Sequence, residues 1–337
     1  MHPELFKIPF TGGLSVKSYG VMIVIAFIAA VWVVKRLSRD ITPNPNIITN
    51  GALYALIAGV LGSRLFYIIH YFDRFEGNIV SMFSFWNGGF ELLGGVFSAI
   101  VVLWIFMRFH KLQVLKFFDI LAISMMAALA FGRIGCFLSG CCFGKPAELP
   151  WAVRFPYGSD SYMSQIQPDI TRNRTEPYVR LPNDFFGFID SKGIEHPDSL
   201  KPYEILTAEQ KEYVANGAGR ALAVHPTQLY SSANAAVCGL LLYFFWRRNK
   251  KCQADKKCSK LFAKSGSTFA LMFIIYGIAR FFIEFLRDDN PFEYEWWMIY
   301  KGGTISQNLA IYMFIAGIIL IVLFQKTGKK NAVGGQK

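Results

Sequence analysis

Seven runs of about 20 mostly apolar residues decide what this chain can fold into. They are Val16 to Val34, Ile47 to Tyr71, Phe90 to Phe109, Phe117 to Leu138, Pro226 to Trp246, Ser267 to Leu286 and Thr304 to Phe324. At 1.5 Å per residue, a helix of that length crosses about 30 Å of hydrocarbon. Lipid offers backbone groups no partner, so each run must satisfy its own hydrogen bonds as a helix. The fold class expected is an all-α integral membrane protein with seven transmembrane helices.

Composition agrees: 53% of the 337 residues are hydrophobic and 17% charged, below the roughly 25% charged of soluble chains. The apolar content excludes a disordered chain. Six cysteines in so long a chain exclude a small disulfide scaffold. The first run has no basic segment before it and no small-residue cleavage site, while Lys35 and Arg36 follow it as a stop-transfer signal would. It is read as part of the mature protein.

The net charge of +12 lies between the apolar runs instead of forming one patch. Lys35, Arg36 and Arg39 follow the first run, Arg108, Lys111 and Lys116 the third, Arg247, Arg248, Lys250 and Lys251 the fifth, and Lys326, Lys329 and Lys330 the last. Short cytoplasmic loops carry such an excess, which places the N-terminus outside and the C-terminus in the cytoplasm. The charge is thus a topology signal that also attracts anionic membrane lipids, and no nucleic-acid partner is expected. Trp86, Trp151, Trp246, Trp296 and Trp297 lie near run ends and are read as interface anchors.

The organisation expected is spans 1 to 4 over residues 1–142, a small mixed extracytoplasmic head over 143–225, spans 5 to 7 over 226–325 and a basic cytoplasmic tail over 326–337. In the head, strands are expected first, around WAVRFPYG, with a helix from Thr207 to Asn216.

Ionisable residues inside spans are costly and mark function. Arg64, Glu91, Arg133, His225, Arg280 and Glu284 all fall in outer halves of spans. Arg280 and Glu284 are four apart, on one helix face; they form either a structural ion pair or an arginine oriented to hold an anion. The run GRIGCFLSGCCFGKP breaks the fourth span with Gly140 and Gly144 beside Arg133, which permits close backbone approach to a ligand. Arginine captures phosphate oxygens in pairs, so a phospholipid head group is one reading and snorkelling arginines the other. Cys136, Cys141 and Cys142 stand on the outer side as a disulfide, a reactive thiol or, with no C-x-x-C pair, less readily a zinc site. Cys252 and Cys258 read as free thiols and Cys238 as span packing.

Eight segments together resemble the prolipoprotein diacylglyceryl transferase family: SYGVMIVIAF, GSRLFYIIHY, FWNGGFELLGG, GRIGCFLSGCCFGKP, LPWAVRFP, HPTQLY, YGIARFFIEFLRDD and TISQ. The resemblance covers nearly the whole chain except much of 157–223. It implies an enzyme of the bacterial cytoplasmic (inner) membrane, with its active site facing the outer leaflet. It would move diacylglyceryl from phosphatidylglycerol to the lipobox cysteine thiol of preprolipoprotein signal peptides, releasing glycerol phosphate, with no metal or cofactor. It implies that Arg133 binds the phosphate, that Arg280, fixed by Glu284, helps align the lipid or stabilise the leaving group, that Tyr19 and Tyr276 line the lipid site, and that Gly144 ends the signature; Arg64, an ionisable residue within a span, is a further candidate for binding phosphatidylglycerol. His225 is then a proton acceptor or the holder of the Pro226 turn.

The chain also departs from the family pattern. Cys136, Ser139 and Cys141 replace two asparagines and a glutamate of the signature, Leu93 stands at the usual histidine, and Ser231 follows HPTQLY. Either Glu91 or His225 activates the thiol, or a phosphatidylglycerol-derived group goes to another acceptor. A membrane thiol redox or lipid-binding protein using Cys136, Cys141 and Cys142 is the third reading.

Overall fold

Each apolar run becomes a helix, and the ends of those helices are where polar residues gather. In the computed structural model, residues 4–7, 15–40, 42, 44–75, 82, 89, 91–172, 174–190, 193–254, 264–289 and 297–333 are described. The anchors Trp86 and Trp296, together with Cys258, lie outside them. A short antiparallel pair, β1 (Glu4–Lys7) and β2 (Ser15–Lys17), leads into α1 (Ser18–Leu37). Then follow α2 (Pro45–His70), α3 (Leu92–Phe109) and α4 (Val114–Ser139). After the head come α7 (Thr227–Ala254), α8 (Ser267–Glu284) and α9 (Ile305–Val333).

Six of these are long and apolar enough to cross a membrane: α1, α2, α4, α7, α8 and α9. The seventh expected span, α3, has only Gly94–Phe109 as its apolar stretch. It packs against α2, and at Gly95 a side chain would meet the Gly59 carbonyl at 2.9 Å. Small residues of this kind let two apolar helices approach closely. Large side chains such as Trp32, Phe97, Phe244 and Phe282 point outward, as a lipid-facing surface requires.

One buried cluster and one cap fix the basic end. Val34 from the end of α1, Ile48 from the start of α2, Met107 from the end of α3, and Phe117 and Ile120 from the start of α4 form one buried cluster, with Trp246 of α7 against it. The basic ends of α1, α3 and α7 therefore share one side. On that side Asp119 of α4 accepts the backbone N–H groups of Gly266, Thr268 and Phe269 at 2.7, 2.8 and 3.0 Å, capping the positive N-terminus of α8 from another helix. Cys238 is buried in the α4–α7–α8 core. Cys252, read as a free thiol, is instead disulfide-bonded.

The head corrects the expected order of elements. A helix, α5 (Asp160–Ile166), precedes the hairpin β3 (Phe186–Ile189) and β4 (Glu195–Leu200). The WAVRFPYG stretch makes a single bridge, Val153 to Val224, and not a strand. The expected second helix is α6 (Ala208–Ala215), started by a reciprocal Thr207–Gln210 capping box. Tyr162, Ile166, Val179 and Ala221 form its first core, and Phe185, Leu206 and Val214 its second.

Candidate functional site

The site begins where α4 stops. Gly140 takes φ +83° and donates its N–H to the Cys136 carbonyl at 3.0 Å, the left-handed cap that glycine provides at little steric cost. Cys142 follows at φ +60°, a conformation that costs a non-glycine residue of order 1–3 kcal/mol and is kept only where its surroundings enforce it. The enforcement comes from the start of α7. Thr227 Oγ1 donates to the Cys142 carbonyl at 2.7 Å and Gln228 Nε2 to the Cys141 carbonyl at 2.8 Å, both from fully buried side chains.

This fold-back brings the sulfurs of Cys136, Cys141 and Cys142 within 4.8 Å of one another. All three are free thiols, so of the alternatives open from sequence the disulfide is not formed; Cys141 Sγ lies 3.7 Å from the Cys136 carbonyl and donates to it. The neighbouring Cys136 and Cys141 thiols hold the Cys142 thiol below its ordinary range, with help from the nearby Arg287 and Arg133 charges.

After the cysteines, the chain threads between two partners. Gly144 donates to His225 O at 3.1 Å, Lys145 to Leu286 O at 2.9 Å, and Asp288 donates to Phe143 O at 3.2 Å. A Cβ at Gly144 would sit 2.6 Å from the His225 carbonyl oxygen and 2.8 Å from that of Leu286. Only glycine fits where three backbones meet, so the ends of α4 and α8 and the start of α7 are joined at one point.

The cations converge there. The Arg133 guanidinium faces the Tyr276 hydroxyl, Cys142 and Cys136, and Tyr19 at the start of α1 lies beside the same cysteines and Arg133. On α8, Arg280 Nη2 lies 2.8 Å from Glu284 Oε2 and donates to Ser306 Oγ at 3.0 Å. Arg287 reaches Glu284 at 3.6 Å and pairs with both oxygens of Asp289 at 2.9 Å. Thr304 Oγ1 donates to Glu284 Oε1 at 3.0 Å. Glu284 and Asp289 thus balance Arg280 and Arg287, while the groups facing Arg133 are a phenol and thiols. Arg280 Nη1 is buried with no hydrogen-bond partner among the described residues, an orphan that an anionic oxygen would satisfy. Among the described residues the arrangement holds one cation without a carboxylate partner and one spare donor, suited to an oxyanion such as a phosphodiester.

Of the residues singled out by sequence, Arg133, Arg280, Glu284, Tyr19, Tyr276, Gly144 and the three cysteines meet at this end. Arg64 does not join them. Its buried side chain donates to the carbonyls of Met82 and Gly89 at 2.9 and 2.8 Å and lies over the rings of Tyr67 and Phe75, so it fastens the segment before α3 to α2. Glu91 is turned to His70, 3.4 Å away. His225 contributes its backbone to the strap, while its ring lies 3.4 Å from the Tyr230 hydroxyl, which also accepts from Trp151 Nε1 at 2.7 Å.

Sequence reasoning assigned no role to Thr227, Gln228, Arg287, Asp289, Thr304 or Ser306. Arg287 was within reach: it stands three residues after Glu284 and seven after Arg280, the spacing of one helical face, although the helix itself ends at Glu284. Thr227 and Gln228 were not, because nothing local announces that their side chains cap another segment's carbonyls.

Comparison with known proteins adds a family. A sequence model described as "LGT: Prolipoprotein diacylglyceryl transferase" matches residues 3–323. A Clostridium tetani protein named phosphatidylglycerol--prolipoprotein diacylglyceryl transferase is 29% identical over 326 residues, covering 95% of this chain and 96% of that protein. Proteins of the same name from Xanthomonas oryzae pv. oryzae, at 28% identity over 94% of this chain and 89% of theirs, and from Buchnera aphidicola subsp. Acyrthosiphon pisum strain 5A, at 28% over 97% and 98%, are similar along the same length.

Proposed function

The chain belongs to the prolipoprotein diacylglyceryl transferase family, and from that premise we propose that it transfers diacylglyceryl from phosphatidylglycerol to the lipobox cysteine of a prolipoprotein. It does so as a seven-span protein of the bacterial cytoplasmic membrane, with α3 as the seventh span, its N-terminus outside and the convergent end of α4 and α8 facing the outer leaflet. The basic ends of α1, α3 and α7, gathered on the opposite side, support that orientation.

The observation that carries the reading is the buried, unpartnered Nη1 of Arg280, with the charges of Arg133 and Arg287 acting on the same guanidinium. Transfer forms a bond from the acceptor sulfur to the glyceryl carbon and breaks that carbon's bond to the phosphate oxygen. Negative charge grows on the leaving glycerol phosphate, which fixed cations in a dry site stabilise more than water does. Arg133 holds the phosphate and Arg280 donates its free Nη1 to it. Glu284 fixes Arg280 and Arg287, and Tyr19 and Tyr276 line the lipid's approach. His225 acts through its backbone strap and its bond to Tyr230, as a positioning residue.

The test is mass spectrometry of a lipobox peptide after incubation with the purified protein in phosphatidylglycerol membranes, with Arg133→Ala alongside. A diacylglyceryl mass gain that the variant loses is expected. Lipid bound and consumed without modification of the peptide thiol would overturn the reading in favour of another acceptor.

A further inference from the structure

We propose that Cys136, Cys141 and Cys142 form a site for a thiophilic divalent cation of the zinc type, whose open fourth position takes the acceptor cysteine thiol. The inference rests on the transferase reading for its fourth ligand, and on this chain's own geometry for the other three.

The three sulfurs are already within 4.8 Å of one another. Thiolates about 2.3 Å from a tetrahedral zinc ion stand roughly 3.8 Å apart, so closure takes side-chain adjustments of about 1 Å. Two adjacent cysteines ordinarily point apart. Here the left-handed backbone at Cys142 and the carbonyl anchors from Thr227 and Gln228 turn both toward Cys136. Supporting contacts that hold the ligand-bearing backbone are a regular part of metal sites. Charge also matches: three thiolates around a divalent cation carry one net negative charge, and the Arg133 and Arg287 charges both act on Cys142. A sulfur-only donor set selects zinc-like ions over magnesium or calcium.

The reaction supplies a need for the metal. Alkylating a thiol requires its thiolate, and the nearby proton acceptors among the described residues already have partners: Glu284 two arginines and Thr304, Asp289 Arg287, Asp288 Arg172, and His225 Tyr230. A metal with three protein ligands keeps a position open for substrate, and a coordinated thiol gives up its proton. The acceptor thiol would bind there and release its S–H proton to water. Its sulfur would then attack the glyceryl carbon as the carbon–oxygen bond to phosphate breaks. The bonding pair leaves with glycerol phosphate, held by Arg133 and Arg280. No electron transfer is involved, and the thioether product, a weaker ligand, departs.

The full-length chain, purified in detergent without added metal and then given Zn2+, is expected to hold one zinc per chain by mass spectrometric metal analysis. Co2+ in its place should give the near-ultraviolet absorption of a cobalt–thiolate site, with visible bands that shift when lipobox peptide is added. Cys136→Ser, Cys141→Ser and Cys142→Ser should each weaken binding by about tenfold or more, while Cys238→Ser, in the span core, keeps it. Chelation should abolish peptide modification and Zn2+ restore it. Full transfer by metal-free protein would overturn the proposal and leave the transferase reading intact. A cobalt–thiolate spectrum that shifts with peptide, in a protein that transfers nothing, would support the metal site and overturn the transferase reading. The cobalt spectrum of the wild-type chain keeps the test decisive should a serine variant fail to fold.

Discussion

Glu284 Oε2 lies 2.8 Å from Arg280 Nη2, one turn earlier on the same helix, and the Glu284 side chain is fully buried. The pair is the centre of a polar network that also includes Arg287, Thr304 and Ser306. A carboxylate at this depth is tolerated because it is surrounded by donors; taken alone, it would cost several kcal/mol to desolvate.

Removing that carboxylate leaves two buried guanidiniums short of a partner. Glu284→Ala is expected to destabilise the protein by about 3–5 kcal/mol, seen as a lower thermal unfolding temperature in detergent. Glu284→Gln keeps the shape and should lose activity more than stability, because Arg280 is then held less firmly.

Among the described residues Arg133 forms no ion pair with a carboxylate, and the groups that act on it most are Tyr276, Cys142 and Cys136, which leaves its charge for a ligand. Arg133→Ala and Arg280→Ala are each expected to lower kcat/KM for phosphatidylglycerol by about 3 kcal/mol of transition-state stabilisation, a loss of more than a hundredfold. Arg133→Lys should recover little, since an ammonium cannot grip two phosphate oxygens in a fork. Near-normal rates in both alanine variants would sink the phosphate clamp.

Gly144 lies where the backbones of His225 and Leu286 leave no room for a Cβ. Gly144→Ala must push the strap off one neighbour, at about 1–3 kcal/mol in the manner of an overpacked core. The displacement reaches Cys142 and Arg287 together, so activity should fall further than the unfolding temperature indicates.

Asp119 caps α8 from α4 by accepting three backbone N–H groups, far from the site end of both helices. Asp119→Ala is expected to cost about 1–3 kcal/mol through the orphaned donors. The fraction that remains folded should keep a normal KM for phosphatidylglycerol, which separates this structural carboxylate from Glu284.

The Cys252 disulfide stands at the basic end of α7, the side the charge distribution assigns to the cytoplasm, where thiols are kept reduced. In cells treated first with a reductant, a membrane-impermeant maleimide should label Cys252 only after permeabilisation. Labelling from outside would reverse the orientation.

The sequence by itself determined the helices, because spanning a membrane demands some 20 apolar residues regardless of neighbours, and that demand is written locally. It also determined the Arg280–Glu284 pair, since four residues make one turn, and the break at Gly140 and Gly144, since a left-handed cap and a crowded crossing both need glycine. The tertiary structure decided which ends meet. It turned Arg64 to the carbonyls before α3, gave α5 priority over the head's strands, left Cys136, Cys141 and Cys142 as three free thiols in one cluster, and recruited Thr227, Gln228 and Arg287 to hold the site. Those outcomes depend on contacts well outside one helical turn, from Arg64 with Met82 and Gly89, 18 and 25 residues on, to Thr227 with Cys142, 85 apart. No periodicity encodes such contacts, because packing energy is shared among helices and is settled only when all of them are in place.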